Sequence, residues 1–223
     1  MGEALTRFER AIDIDPTRAI YHLYAGWVAT EMSRQGDARK ALDKALELDK
    51  GLGDAYWLRG RLLLKQGATK DAILDLERAL ELAPQRQDTI ADLAVAYADI
   101  GRLPKALDLW EQALGRDPDN ATWHFRYGKL LSTSGNGQMA AAHLKRALDI
   151  VREAEAAAPA GAEKPKPPVW IWQAHYLLAR ELGVIPAAVP HWQAYLRLSP
   201  RDDPYRSEAE RALRDLGQPW SQR

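Results

Sequence analysis

Five histidines are the residues of this chain best suited to bind a metal ion or transfer a proton: His22, His124, His143, His175 and His191. No two of them have the spacing that would place both on one face of a single helix as metal ligands. The stretch between His175 and His191 contains a predicted turn, so two successive helices would bring these side chains face to face. Because no carboxylate stands beside them to complete a ligand set, the sequence predicts a packing contact here and not a metal site.

Other groupings that support catalysis are missing from the sequence. The chain has no cysteine, which excludes disulfides, a thiol nucleophile and cysteine-bound metals. It also lacks a nucleophile elbow, a glycine-rich phosphate loop and the H-E-x-x-H metal motif. Its carboxylate pairs, Asp13 with Asp15 and Asp202 with Asp203, fall at predicted helix ends, where capping accounts for them. We therefore expect a non-catalytic protein with no cofactor and no metal.

The charges of the chain cancel, with 31 basic and 31 acidic residues. A neutral chain offers no electrostatic argument for a nucleic-acid or membrane partner. An RNA-binding helical repeat is the nearest nucleic-acid alternative, but the neutral charge and the closing prolines of the repeats argue against it. We therefore expect no nucleic-acid partner and no membrane insertion, and a salt-sensitive affinity for RNA would overturn the first expectation. No apolar run approaches the roughly 20 residues that a membrane helix needs, and the N-terminus lacks a signal-peptide core. The composition predicts a soluble protein, expected in the cytoplasm, with the periplasm left open.

The chain is organised by an internal repeat, and its most regular copy runs from Asp71 to Pro84. In steps of 34 residues from Ala79, in both directions, the chain has another alanine each time: Ala11, Ala45, Ala113 and Ala147. A second small-residue column contains Ala4, Ala38, Ala72, Ala106 and Ala140. A large apolar column contains Phe8, Leu42, Leu76, Trp110 and Leu144. A fixed period of this length is typical of a solenoid, and in period and residue types the pattern resembles the tetratricopeptide repeat family.

This resemblance implies an all-α fold, a right-handed α-solenoid of antiparallel helix pairs. The pattern gives about five repeats, an N-terminal half-repeat and a C-terminal capping helix. The expected boundaries are a solenoid over 1–157 (half-repeat 3–16; repeats 19–52, 53–86, 87–120 and 121–157), an exposed proline- and alanine-rich loop over 158–168, a degenerate fifth repeat over 169–200, a capping helix over 201–217 and a tail over 218–223. We interpret the opening half-repeat as part of a longer protein, with a cap as the alternative.

Several local features follow from the same alignment of repeats. Gly26 is expected where two helix backbones approach closely, and Trp110 and Trp192 are expected in the core. The turn of the first repeat is expected at Gly36–Asp37, later than the glycine turns of the next repeats. Asp203–Pro204 is expected to begin the capping helix, since an acidic cap followed by proline favours a helix start.

In the family, the second, fifth, ninth and twelfth residues of each first helix line a concave groove that holds peptides or partner proteins. Carried onto this chain, with the adjacent Lys65, these positions give a candidate partner-binding set: Trp27, Trp57, Arg61, Lys65, Phe125, Lys129 and Arg180. Exposed aromatics beside basic residues form a surface of the kind in which Trp and Arg anchor a partner, here one with an acidic or carboxylate-bearing segment. Trp57 is the expected central anchor. The alternative is that the aromatics pack against neighbouring first helices.

The sequence therefore predicts a non-catalytic scaffold that binds a protein or peptide in this groove. The clamp by which some family members grip a C-terminal carboxylate is absent, because the groove positions contain no asparagine. A structural alternative is self-assembly, in which the open N-terminal helix docks on the end of another copy and gives head-to-tail oligomers. A concentration-independent monomer in light scattering favours the scaffold, and a ladder of oligomers favours self-assembly.

Overall fold

The computed structural model describes residues 1–84, 86–159 and 166–220. These residues form α-helices, turns and one short 3-10 segment, and no strand occurs among them. The chain divides between Ala113 and Leu114 into two compact units. Parts of the predicted loop over 158–168 and of the predicted tail over 218–223 lie outside the described residues.

The first unit is built from helix pairs joined by short turns. Its helices are α1 (Gly2–Ile14), α2 (Ala19–Glu31), α3 (Gln35–Leu48), α4 (Gly53–Lys65), α5 (Thr69–Leu82), α6 (Gln87–Asp99) and most of α7 (Leu103–Arg116). Within repeats α2 packs on α3 and α4 packs on α5, and between repeats α3 packs on α4 and α5 packs on α6. Because short turns reverse the chain, the two helices of each pair are antiparallel.

The second unit continues the same design. Its further elements are α8 (Ala121–Thr133), α9 (Gly137–Ala157), α10 (Ile171–Leu182), a 3-10 turn (Pro186–Ala188), α11 (Val189–Leu198) and α12 (Arg206–Asp215). Each of α8 to α11 packs on the helix that follows it. The protein is therefore all-α, an α-solenoid of helix pairs, as the sequence predicts. None of the described helices combines the length and apolar character that crossing a membrane requires.

The columns of small residues form the seams between the helices. The alanines of both columns are fully buried from the first full repeat onwards: Ala38, Ala45, Ala72, Ala79, Ala106, Ala113, Ala140 and Ala147. From the first full repeat onwards the large apolar column is equally buried, at Leu42, Leu76, Trp110 and Leu144, and Trp192 is also buried, so both predicted core tryptophans are confirmed. Hydrophobic burial along these seams is the main contribution that holds neighbouring helices together.

Glycines stand where first helices cross closest to the large apolar column. A Cβ atom built on Gly26 or Gly60 would lie 2.8 Å from the Cγ of Leu42 or Leu76, respectively. Non-bonded carbon atoms prefer separations of about 3.5–4.0 Å. A larger residue would therefore push the helices apart, and the close approach predicted for Gly26 is confirmed.

The turn of the first repeat lies at Ser33, so the predicted turn at Gly36–Asp37 is wrong. Both of those residues are inside α3, which begins at Gln35. Ser33 has a φ of 59°, in the left-handed region that favours glycine, and one period later Gly67 has a φ of 75°. The prediction placed the turn at the nearest glycine. The position within the repeat determines the turn instead, and at that position Ser33 adopts the left-handed conformation that a glycine adopts in the next repeat.

The last helix begins later than predicted. It starts at Arg206 and not at Asp203–Pro204. The Asp203 carboxylate accepts a hydrogen bond of 3.1 Å from the backbone N–H of Tyr205 and another from the hydroxyl of Tyr195. An aspartate that bonds the backbone two residues on favours a turn, so Asp203 fixes the connection ahead of α12 instead of capping the helix.

Ala79→Leu should destabilise the protein, because Ala79 is fully buried in a seam. Overpacking a well-packed interior costs about 1–3 kcal/mol, and we expect that loss in the free energy of unfolding measured with urea. Ala142→Leu makes the same change on the exposed side of α9 and should stay within about 0.5 kcal/mol of wild type. An unchanged unfolding midpoint for Ala79→Leu would show that the alanine column does not form the seam.

Candidate functional site

A partly exposed row of aromatic residues lies on the first unit, where α1 meets α2. We define the aromatic row as Phe8, Tyr24 and Trp27. Phe8 stacks on Tyr24 with ring centroids 5.4 Å apart, and Tyr24 lies 6.4 Å from Trp27. Tyr24 is 38% exposed and Trp27 is 49% exposed. No residue that the structure describes accepts a hydrogen bond from the Trp27 indole N–H, so both a ring face and a donor are open to a partner.

The buried residues of α2 include His22, Gly26 and Thr30. Gly26 lies against the seam, and the Thr30 hydroxyl donates to the Gly26 carbonyl at 2.8 Å. The Nε2 of His22 donates to the carbonyl oxygen of Pro16 at 3.0 Å, because a carbonyl can only accept. The close approach at Gly26 and the hydrogen bond of His22 hold α2 against its neighbours, whereas the Thr30 hydrogen bond is internal to the helix. Trp27 is thereby presented on a rigid helix, which reduces the entropy lost when a partner binds it.

The side chain of Trp57, predicted to be open to a partner, is engaged by neighbouring residues of the chain. Its indole N–H donates to Asp92 at 2.9 Å. The guanidinium groups of Arg61 and Arg86 lie 4.9 Å and 4.3 Å from the centre of its ring system, which is cation–π geometry. Arg61 also pairs with Asp92 at 3.5 Å, and Arg86 pairs with Asp54. The predicted central anchor is thus the middle of an intramolecular network of charges.

The remaining contacts of Trp57 tie it to the core of the first unit. It packs, partly buried, against the cluster that contains Leu23 and Leu58. Lys65, one turn after Arg61, is exposed and forms no hydrogen bond or ion pair with any described residue. Of the basic residues predicted for this unit, Lys65 is therefore the one with an available charge.

In the second unit, Phe125 does not lie on an accessible surface. It is 6% exposed and stacks on Trp170 at 4.7 Å, with the two rings 6° from parallel. The Trp170 indole N–H donates to the Thr122 hydroxyl at 3.3 Å, which holds this stack between α8 and the start of α10. The expected exposure of Phe125 is wrong. The alternative interpretation, that an aromatic packs against the neighbouring first helix, is correct for this residue.

Lys129 and Arg180 of the second unit differ in how free their charges are. Arg180 donates to the Ser132 hydroxyl at 2.7 Å and to Glu181 at 3.3 Å, while Ser132 donates to Glu181. Lys129 is exposed and forms no hydrogen bond or ion pair within the described part of the chain. Arg180 therefore belongs to a local polar cluster, whereas the Lys129 charge is available.

Two histidine pairs lie in the helix seams of the second unit. His124 Nε2 is 2.9 Å from the carbonyl oxygen of Pro118, and its Nδ1 is 2.9 Å from Nδ1 of His143. Since the carbonyl only accepts, Nε2 carries the hydrogen of His124, and His143 donates through Nδ1. His175 and His191 make the same Nδ1 contact at 3.0 Å, as their spacing predicts. No group of three or more potential metal ligands occurs among the described residues.

The second histidine pair is held in its neutral form. The pKa of His175 is lowered to about 4, mainly by burial and in smaller part by repulsion from a protonated His191 and from Arg197. Burial also lowers the pKa of His191, with Asp149 opposing this shift and Lys145 adding to it. When both rings are neutral, the N–H at one Nδ1 donates to the lone pair of the other Nδ1. A proton added to the accepting nitrogen would place two N–H donors against each other.

Acid should therefore destabilise the fold through this pair. Unfolded histidine titrates near pH 6.5, whereas His175 in the fold titrates at about 4. The stability that the neutral His175 contributes is fully present above pH 6.5, decreases as the pH falls from 6.5 to 4, and is lost below pH 4. We expect a loss of up to about 3 kcal/mol in urea unfolding, and a shallower pH profile for His175→Gln. Parallel profiles for the two proteins would contradict the assignment.

Two family models match the chain, and both describe the tetratricopeptide repeat. One covers residues 31–86 and the other residues 63–124. Together they span α3 to the start of α8, so the helix pairs with buried small-residue columns are the repeats that these models describe.

Relatives and solved structures show the same repeat architecture. Anaphase-promoting complex subunit 3 of Schizosaccharomyces pombe is 25% identical over 130 residues, which are 58% of this chain and 20% of that protein. The matched segments span 8% to 23% of the lengths of the curated relatives. The structure of pilF from Pseudomonas aeruginosa has a TM-score of 0.70 at 18% identity, covering 90% of this chain and 85% of that chain. YrrB, described as a TPR protein with an unusual peptide-binding site, has a TM-score of 0.67 at 18% identity, covering 87% and 93%. These two structural similarities show a common fold.

Proposed function

Because this chain is a tetratricopeptide repeat protein, we propose that it is an interaction scaffold whose first unit binds a polypeptide segment of a partner on the surface around Trp27. Tetratricopeptide repeat proteins in general mediate protein–protein interactions and are non-catalytic scaffolds. The described residues offer a surface suited to that role, with aromatic side chains on a rigid helix.

The observation that carries this proposal is the half-exposed Trp27 with an open indole donor. Tryptophan is enriched among the residues that dominate binding energy, since it combines a large apolar area with a hydrogen-bond donor. Tyr24 extends the apolar surface on one side. A partner that covers Trp27 and supplies a carbonyl to its N–H would bury the ring and satisfy the donor together.

The exposed charges of the first unit suggest the chemistry of the partner. Lys65 is free to pair with an acidic residue of the partner, whereas Arg61 is engaged by Asp92 and Arg86 by Asp54. An acidic segment that recruits Arg61 must compete with Asp92. We therefore propose a segment with an apolar residue for Trp27 and an acidic residue within reach of Lys65. In the second unit, Lys129 is an exposed cation without a hydrogen-bond or ion-pair partner among the described residues.

Site-specific photo-crosslinking tests the proposal. A photoreactive phenylalanine derivative is placed at position 27 and, as a control, at position 74, because Leu74 is 66% exposed on α5. We expect a partner polypeptide to cross-link from position 27 and not from position 74, and peptide mapping to locate the cross-link in an apolar–acidic segment. Cross-linking that is equal from both positions would disprove a surface centred on Trp27.

Self-assembly is a second candidate, and the incomplete burial of the apolar stripe of α1 favours it. Ala4, Phe8 and Ala11 are partly exposed, whereas their counterparts in α3 are fully buried. A second copy that covers this stripe would complete the same packing. Light scattering over a range of concentrations tests the idea: oligomers that disappear in Ile12→Lys would support it, and a monomer at all concentrations would refute it.

A further inference from the structure

A pocket of about 560 Å³ opens between α5, α6 and α7 in the first unit. Its apolar lining comes from Leu80, Leu93 and Leu109, and its acidic lining from Glu77, Glu81 and Asp108. It shares no residue with the surface around Trp27. Glu81 is paired with Arg78 at 2.8 Å, so Glu77 and Asp108 are the lining carboxylates without an ion pair among the described residues, beside one lining cation, Lys105.

One repeat earlier in the same unit, an arginine side chain occupies the equivalent junction of three helices. Between α3, α4 and α5, the Arg59 guanidinium donates two hydrogen bonds of 2.7 Å to Asp75 and one of 2.8 Å to Asp43. One repeat period later, the position of Arg59 is occupied by Leu93. The pocket thus lies at the position where the earlier junction holds a guanidinium. None of its lining residues is an arginine, and the Arg102 guanidinium lies 6.0 Å from the centre of the Tyr97 ring.

Acceptors for a guanidinium are nevertheless present in the pocket. Glu77 stands one period after Asp43, and it accepts a hydrogen bond from the Tyr97 hydroxyl. Lys105 is held against Tyr97, with its Nζ 4.9 Å from the ring centre and 3.4 Å from the hydroxyl. Asp108 is exposed and has no hydrogen-bond or ion-pair partner among the described residues. Its charge and the free lone pairs of Glu77 remain available to a ligand.

We propose that this pocket binds an arginine side chain presented by a partner polypeptide. The planar guanidinium donates to Glu77 and Asp108, since its fork of N–H groups matches carboxylates. The aliphatic stem lies on Leu93 and Leu109, where its burial adds apolar contact. The partner therefore places an arginine between apolar residues, in the role that Arg59 performs within the chain.

Two short fluorescein-labelled peptides test the proposal on the full chain. Both carry leucines around a central residue, which is arginine in one and citrulline in the other, so that the two peptides differ in charge and hardly in shape. Fluorescence polarisation should show binding of the arginine peptide about tenfold tighter or more, because hydrogen bonds between charged groups are the stronger ones. Equal affinities, or no saturable binding of the arginine peptide, would overturn the proposal.

Variants then locate the binding. Leu93→Arg places a guanidinium in the pocket from within, as Arg59 does one period earlier, and should abolish binding of the arginine peptide. Asp108→Arg changes an exposed residue and should weaken binding about tenfold or more through like-charge repulsion. Asp99→Arg is the matched control, because Asp99 is exposed on α6 and does not line the pocket. Should Leu93→Arg fail to fold, Asp108→Arg decides: binding as strong as that of Asp99→Arg would refute the assignment.

Discussion

Arg59→Leu is expected to lower the free energy of unfolding by about 3 kcal/mol, because it breaks the largely buried ion pair between Arg59 and Asp75. The Arg59 side chain is 19% exposed and that of Asp75 is 10% exposed. Without Arg59, the Asp75 carboxylate would remain in a poorly hydrated seam with its main hydrogen-bond donor removed. The hydrogen bonds to Asp75 raise the pKa of Arg59 well above its usual range. The guanidinium therefore stays charged, and the effect of the substitution should persist in alkaline solution.

The double variant Arg59→Leu with Asp75→Leu reproduces the residues of the next junction, where Leu93 and Leu109 occupy these positions. Replacing both members of a buried pair with apolar residues removes the uncompensated charge. We expect the double variant to recover about half of the loss or more in urea unfolding followed by circular dichroism.

An exposed ion pair on the same face provides the control for this comparison. Arg78 is 47% exposed and pairs with Glu81 at 2.8 Å, so Arg78→Leu should leave the stability nearly unchanged. A single Arg59→Leu variant as stable as wild type would contradict the argument. A double variant less stable than the single one would also contradict it, because the loss would then not arise from an unpaired Asp75.

The fold was predictable because the repeat fixes which residues share a seam. A step of one period aligns Ala45 with Ala79 and Leu42 with Leu76, and a buried seam tolerates only small residues opposite large ones. The prediction of the first turn was wrong, because it followed the nearest glycine and not the repeat position, which Ser33 occupies. The predicted helix start at Asp203 was also wrong, since its carboxylate bonds a nearby turn instead of the helix start. Both errors concern local backbone geometry, which packing periodicity does not determine.

The candidate site was predictable only in part, since exposure depends on neighbours that the period does not supply. Trp27 is exposed as expected. Phe125 is covered by Trp170, which follows the inserted loop, so the spacing of the repeats gave no indication of that contact. Trp57 is engaged by Arg86 from the turn before α6. The pocket near Leu93 was accessible to sequence reasoning in principle, because aligning that position with Arg59 reveals the missing guanidinium.

Trp27→Ala is expected to weaken binding of the partner segment that cross-links from position 27 by about 30-fold or more. Truncating a central aromatic anchor typically costs about 2 kcal/mol or more of binding energy, and each 1.4 kcal/mol is about tenfold in affinity. Because the side chain is 49% exposed and its N–H has no acceptor among the described residues, the substitution should leave the unfolding midpoint nearly unchanged. Isothermal titration calorimetry with the mapped peptide measures the affinity, and urea unfolding measures the stability.

Two further variants separate an anchor from a structural residue. Leu74→Ala removes an exposed apolar side chain on α5 and should leave both affinity and stability unchanged. Trp57→Ala removes the ring on which Arg61 and Arg86 lie and leaves Asp92 without its N–H donor, so it should lower stability as well as affinity. If Trp27→Ala binds as tightly as Leu74→Ala, the partner does not use the aromatic row. If Trp27→Ala unfolds the protein, Trp27 is a packing residue and its exposure has no role in recognition.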